Sequence, residues 1–315
     1  MINNERLKNI ISCVKLMGKE KARDNFGLSD ETLNRYLRKA RQDSLLGENE
    51  EVIEKKPNVL VFDLETAPTK AGVWGIWNTN VATDLIESPW FLLSWSAKWL
   101  YDDEVFSDVV TPEEALGEGD KRIVGSLWKM IDYADIIIGH NIIKFDTRKM
   151  NTRYVIHGMI PPSPYQQVDT LMIARKNFAF ESNKLDYLAR MLGVPGKMEN
   201  GGAETWIKCV NGDADALLLM EKYNRQDILT TEDVYTKLRP WAHSHANVAL
   251  YYDDLHTRCP NCGSMDLQYD TDKFYVTPMN KYSAVRCNSC GAVGRARTSV
   301  LDKKKRGSMI TTTAR

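Results

Sequence analysis

Two short apolar runs, each ending on polar groups, constrain this chain more than any other feature. Val59-Leu60-Val61-Phe62 stops at Asp63-Leu64-Glu65, and Asp135 leads into Ile136-Ile137-Ile138, which stops at Gly139-His140-Asn141. Runs this short and this apolar read as buried strands. Further strand-like stretches cover 91–99 and 104–110, and helical spacing recurs at 112–133, 145–157, 183–192 and 214–238. Strands interleaved with helices predict an α/β fold, a mixed sheet with helices on its faces. No window approaches the roughly 18 uninterrupted apolar residues of a membrane span, and the N-terminus lacks a signal-peptide core. A cytoplasmic location is expected.

The acids at the strand ends carry the chemistry. Side chains two apart on a strand share a face, so Asp63 and Glu65 project together. Downstream, Gly139-His140-Asn141-Ile142-Ile143-Lys144-Phe145-Asp146 leads from a strand end through a polar turn to an acid at a helix start. Tyr223-Asn224-Arg225-Gln226-Asp227 lies in a predicted helix, with Tyr223 and Asp227 one turn apart on the same face. Converging carboxylates suit two divalent cations, and a phenol beside them suits positioning of a water.

The ordered set FDLET, GHNIIKFD and YNRQD resembles the three motifs of the DEDD superfamily of 3′→5′ exonucleases, tyrosine subtype, on a ribonuclease-H-like fold. The wording is most similar to its YprB-like branch and to exonucleases of bacterial viruses, and it covers about residues 58–240. The resemblance implies that Asp63, Glu65, Asp146 and Asp227 bind two Mg²⁺ or Mn²⁺ ions and that Tyr223 orients the nucleophilic water. It implies that Glu65 meets both metal and substrate, and that Thr66 and Asn141 lie near the terminal nucleotide. His140 would touch substrate or cap its strand. Asp169 is a candidate supporting acid, and Asp186 a helix-start acid favoured by the dipole. Trp74 and Trp77, in Gly72-Val73-Trp74-Gly75-Ile76-Trp77, would stack on bases of a single strand or pack in the core.

Modules are expected at both ends. In residues 1–45, a helix over 5–18 carries Leu7, Ile10, Ile11 and Val14 on one face, Gly27 is a helix breaker, and Ser29 caps a basic second helix. That pattern resembles a helix-turn-helix. Residues 46–57 read as an acidic linker, 58–245 as the ribonuclease-H-like exonuclease domain, 255–300 as a zinc ribbon and 301–315 as a basic flexible tail. Cys13 and Cys209 read as buried apolar residues. Cys259-x-x-Cys262 and Cys287-x-x-Cys290, each followed by glycine, have the spacing of a four-thiolate structural Zn²⁺ site.

Charge follows the same partition. Residues 1–45 hold ten Lys/Arg against six Asp/Glu, and residues 255–315 eleven against four, while the stretch between holds 21 against 32. Basic ends around an acidic middle suit phosphate binding at the flanks, with Arg258, Lys281, Arg286, Arg295 and Arg297 around the ribbon, and cation binding at the centre. The expected activity is a two-metal 3′→5′ exonuclease on nucleic acid, DNA ahead of RNA and single strands ahead of duplex. The alternatives are a ribonuclease, a structure-selective endonuclease, or a non-catalytic DNA-binding adaptor. No polymerase motif is present, so a proofreading role would need a separate DNA polymerase or replication protein as partner.

Overall fold

The computed structural model describes residues 4–42, 56–77, 80–196, 201–310 and 313. Most of the segment expected as a linker, 46–57, lies outside them. Two compact units form, one around the N-terminal helices and one comprising Pro57–Leu250 with Leu255–Arg315. Among the described residues no helix is long and apolar enough to cross a membrane.

In the first unit, α1 (Asn4–Phe26) and α2 (Asp30–Gln42) bury Leu7, Ile10, Ile11, Val14 and Ala22 against Leu33, Leu37 and Ala40. The first helix runs well past its expected end at residue 18, because Ala22 and Phe26 continue its apolar stripe. It stops at Gly27, whose φ of 59° a side chain would resist. Ser29 Oγ then accepts from the Thr32 amide and caps α2.

The second unit opens with β1 (Val59–Thr66) and a small hairpin, β2 (Lys70–Ala71) with β3 (Ile86–Ser88). There follow β4 (Leu92–Trp99), β5 (Val105–Val109), α3 (Pro112–Leu116), α4 (Lys121–Tyr133), β6 (Ile136–Gly139) and α5 (Asp146–Ile156). Then come β7 (Gln166–Asp169), α6 (Thr170–Asn177), α7 (Leu185–Leu192), α8 (Ala203–Val210) and α9 (Ala214–Leu238). The main sheet has the order β5-β4-β1-β6-β7, with β4 and β5 antiparallel and β6 and β7 parallel to their neighbours. A five-stranded mixed sheet with flanking helices is a ribonuclease-H-like α/β arrangement. The single helix expected over 112–133 is two helices, broken at Gly117-Glu118-Gly119, where Glu118 adopts a φ of 55°. A capping box between Thr111 and Glu114 starts the first of them.

The two faces of the sheet differ in chemistry. Register pairs Phe62 with Ala97 and Leu64 with Trp95, and these residues join Ile123, Val124 and Leu127 of α4 in the main core. Trp95 Nε1 donates to Ser126 Oγ on the same helix. The opposite face presents Asp63 and Glu65 beside Ser96 and Ser94, and Asn224 of α9 donates to Asp63 there. So the apolar face packs on α4 and the polar face lies under α9. Further along that polar face, buried Lys98 pairs with Glu232 of α9, whose other oxygen accepts from the Tyr101 amide.

The C-terminal part holds β8 (Leu267–Thr277), β9 (Asn280–Cys287), β10 (Val293–Arg295) and a short helix, α10 (Lys303–Gly307). The three strands form an antiparallel sheet in the order β10-β9-β8. Where the sequence suggests a flexible tail, Asp302 accepts from the Lys305 amide and starts α10.

Removing one partner of the Lys98–Glu232 pair leaves a buried charge uncompensated. Lys98→Met is expected to lower unfolding free energy by about 3–5 kcal/mol in urea titration, and Glu232→Leu added to it to restore part of the loss. A single-variant loss below about 1 kcal/mol, the range of surface pairs, would show that the pair does not anchor α9.

Candidate active site

Asp63 and Glu65 sit at the end of β1, where it leaves the central sheet position. The β1–β4 register shifts between Glu65 and Thr66, a bulge that redirects the strand at the site. Carboxylate oxygens of Asp63, Glu65 and Asp227 lie within 4.8 Å of one another. Asp227 comes from the middle of α9, and Asn224, one turn earlier, holds Asp63 Oδ2 at 2.7 Å. Asp146 opens α5 and is only 2% exposed. Burial first, and then the negative charge of Asp63, push its carboxyl well above the ordinary carboxylate value; Glu65 adds to this, and the amides of Asp146 and Leu64 oppose it. Asp146 is therefore an electrostatic neighbour of the strand pair, while the close grouping of carboxylate oxygens comprises Asp63, Glu65 and Asp227.

Tyr223 is buried one turn before Asp227 and meets Trp206 of α8 edge-on, ring centroids 6.2 Å apart. Thr66 is half-buried at the bulge. Asn141 takes a φ of 68°, in the left-handed region. Its amide and that of Ile143 donate to the two carboxylate oxygens of Asp169, at 3.0 and 3.3 Å. Asp169 also caps α6 through the amides of Leu171 and Met172. One buried carboxylate thus fixes the loop that leads into Asp146, the supporting place expected for it. Asp186 lies exposed in the first turn of α7.

His140 is spoken for. Its Nδ1 lies 2.9 Å from Thr170 Oγ1 and its Nε2 2.9 Å from the Asn183 carbonyl, so both ring nitrogens tie the strand end to its own chain. Of the two readings for His140, this geometry favours the structural one. Trp74 and Trp77 are 96% and 85% exposed, which removes the core-packing reading for both. Sequence reasoning passed over Asn224, although it stands inside the YNRQD motif, and over Trp206, whose helix has no motif. The Ser94–Ser96–Lys98 alternation in β4 was the available signal that one sheet face is polar.

The four cysteine sulfurs also lie within 4.8 Å of one another. Cys259 and Cys290 sulfurs are 3.6 Å apart, as are those of Cys262 and Cys287. Four thiolates at about 2.3 Å from one tetrahedral zinc would be about 3.8 Å apart, so the donor set fits that ion. Gly263 and Gly291 follow the knuckles at φ of 77° and 81°, and their amides donate back to the carbonyls of Cys259 and Cys287. The first knuckle is bonded to the α/β layer. Asn261 is 8% exposed and donates to the Arg239 carbonyl just past α9, and the Val248 amide donates to the Pro260 carbonyl.

A model of the RNase_H superfamily matches residues 102–239, a span that includes Asp146, Tyr223 and Asp227 and leaves out Asp63 and Glu65. No curated protein matches the chain. Among solved structures, the family B DNA polymerase from the hyperthermophilic archaeon Pyrobaculum calidifontis is similar at 18% identity and a TM-score of 0.45, over 58% of this chain and 25% of that one. The chain thus spans a quarter of that polymerase's length. An RNase_H superfamily match across the helices that carry the acids, on a ribonuclease-H-like sheet, supports a nuclease of that general kind.

A raised folded-state pKa means that the Asp146 carboxyl contributes stability below its ordinary pKa and loses it as pH rises through the folded value. In divalent-free buffer, Asp146→Asn is therefore expected to raise the melting temperature at neutral pH by a few degrees, about 2–4 °C per kcal/mol relieved. The difference should vanish below about pH 4. A variant that melts lower than the parent at neutral pH would contradict this account of the site.

Proposed function

We propose that this protein is a metal-dependent 3′→5′ exonuclease of the DEDD type, tyrosine subtype, with single-stranded DNA as preferred substrate. The observation that carries the reading is the approach of Asp63, Glu65 and Asp227 oxygens to within 4.8 Å beside buried Asp146. All the donors are hard carboxylate oxygens, which suit Mg²⁺ or Mn²⁺. Among the described residues, Asp146 Oδ1 and Asn224 Oδ1 are buried without a hydrogen-bond partner, as expected of donors arranged for a cation or its water. Two such ions, held by Asp63, Glu65, Asp146 and Asp227, would supply an activated water and charge neutralisation at the scissile phosphate.

The chain's own residues position what reacts. Tyr223 is in reach of the same helical face as Asp227 and orients the nucleophilic water, its ring steadied by Trp206. Asn224 fixes the Asp63 carboxylate, and Asp169 fixes the loop through Asn141 and Ile143. Thr66 and Asn141 flank the strand ends and receive the terminal nucleotide, while exposed Trp74 and Trp77 stack on unpaired bases upstream. Cys259, Cys262, Cys287 and Cys290 hold one Zn²⁺, which is structural because four sulfurs leave no open position.

The test offers end-labelled single-stranded DNA, duplex DNA and RNA with Mg²⁺ or Mn²⁺ and resolves product length. Mononucleotides should leave the 3′ end of single-stranded DNA, and Asp63→Asn should lower the rate by about a hundredfold or more with its melting curve intact. Internal cuts would shift the assignment to an endonuclease, and preference for RNA to a ribonuclease. No divalent-dependent hydrolysis of any substrate would leave only a binding protein.

The zinc assignment has its own readout. Elemental analysis should find one zinc per chain. Its removal should lower the melting temperature of the whole second unit, since Asn261 links the knuckle to the end of α9. A melting curve indifferent to zinc would rule out the structural role.

A further inference from the structure

The register of the C-terminal sheet sorts its side chains into two faces. Tyr275 pairs with Tyr282 and Gln268 with Arg286 across β8 and β9, while Arg295 of β10 pairs with Ala284. Partners directly opposite share a face, as do residues two apart on one strand. Gln268, Tyr275, Tyr282, Arg286 and Arg295 therefore all lie on one side. The Arg295 guanidinium stands over the Tyr282 ring at 4.1 Å and over Tyr275 at 5.5 Å, so the two tyrosines hold a cation in place. Tyr275 remains 54% exposed, and Arg286 and Arg295 are exposed as well.

Charge on this part of the chain is not balanced internally. Residues 255–315 carry eleven Lys/Arg against four Asp/Glu. Three of the four acids are engaged locally: Asp266 accepts from Asn288, Asp270 from the amides of Asp272 and Lys273, and Asp302 from the Lys305 amide. The amides of Asp272 and Lys273, and after them the charges of Lys273 and Arg286, hold Asp270 below the ordinary carboxylate value. Yet among the described residues neither Arg286 nor Arg295 has a carboxylate within ion-pair distance. A flat aromatic pair bordered by two such arginines matches a ligand with alternating ring faces and negative charges.

We propose that this face of the β8–β9–β10 sheet binds single-stranded nucleic acid, with an unpaired base stacked on Tyr275 and phosphates on Arg286 and Arg295. The occupant is single-stranded because a base must offer its ring face to Tyr275, and a duplex keeps its ring faces stacked internally. The proposal rests on the nuclease reading for the class of its ligand, and on register and charge for its location. It gives the enzyme a second grip on the substrate, distinct from the acids that would cut it.

The experiment uses the zinc-loaded full chain without Mg²⁺ or Mn²⁺, so that binding is read apart from hydrolysis. Anisotropy of a 5′-labelled oligothymidylate is followed against salt concentration. Arg286→Ala and Arg295→Ala should each reduce the slope of log affinity against log salt by about 0.7, the value for one phosphate contact on a single strand. Tyr275→Ala should weaken binding roughly five- to tenfold or more with the slope unchanged. Zinc content and circular dichroism of each variant verify that the sheet is intact. Intact variants that keep both parental affinity and parental slope would overturn the proposal and leave the face to a protein partner. Separately, magnesium-dependent cleavage of a dinucleotide reads the active site alone. Cleavage with no effect of the sheet variants on binding would sink this inference and spare the nuclease, and the reverse result would do the opposite.

Discussion

Mutual repulsion among the acids is the constraint around which the second unit is organised. Carboxylates brought within 4.8 Å oppose their own approach, and the backbone must hold them by other means. β1 supplies two acids from the centre of the sheet, where hydrogen bonds to β4 and β6 fix it on both sides. Helix α9 supplies Asp227 and is fastened along its length. Asp213 caps its start, Glu232 meets Lys98 on the sheet, and Arg239 at its end is bonded to Asn261 of the first cysteine knuckle. Asp146 is delivered by a loop whose amides converge on Asp169. Apart from the bond from Asn224 to Asp63, these fastenings lie away from the acids, so the frame does not depend on the acids' own contacts.

The polarity of one sheet face follows from the same requirement. An ordinary α/β sheet buries apolar residues on both faces, yet here Ser94, Ser96 and Lys98 lie beneath α9 and are buried. Lys98 is balanced by Glu232. The hydroxyls of Ser94 and Ser96 have no hydrogen-bond partner among the described residues, and both sit directly opposite the paired acids of β1. Polar atoms left unsatisfied next to a carboxylate cluster are costly in a dry core, and tolerable where water or a hydrated ion enters.

Much of this was legible in the sequence because strand parity and helix periodicity act locally. The placing of Asp63 with Glu65, and of Tyr223 with Asp227, needs only the repeat of the element that carries them. Asn224 was harder to see, since its role depends on the angle at which α9 crosses β1. The break at Gly117-Glu118-Gly119 was missed because the apolar spacing of Ile123, Leu127 and Ile131 continues in phase with Pro112 and Ala115. The eight-residue helices α6 and α8 were missed, whereas the equally short α7 was legible from the helical spacing of Leu185, Leu188, Ala189 and Leu192. For Trp74 and Trp77 the sequence left core and surface open, and exposure decides it, because hydrophobicity alone cannot say which side of a loop faces water.

The end of α9 joins two parts that the sequence separates. Read by motif, the acids end at Asp227 and the cysteines begin at Cys259, with no motif between them. In the structure, Tyr235 donates to or accepts from His245 at 2.8 Å, and burial holds that imidazole below its ordinary pKa, so it stays neutral near pH 7. A neutral ring with Nδ1 donating to the Ala246 carbonyl must accept at Nε2, which makes the Tyr235 hydroxyl the donor. The Arg239 guanidinium packs over the rings of Tyr235 and Tyr101, and its carbonyl receives Asn261. A buried, directional chain of contacts of this kind transmits position where a flexible tether would not. The cysteine knuckle therefore acts as the terminal fastening of the helix that bears Tyr223 and Asp227.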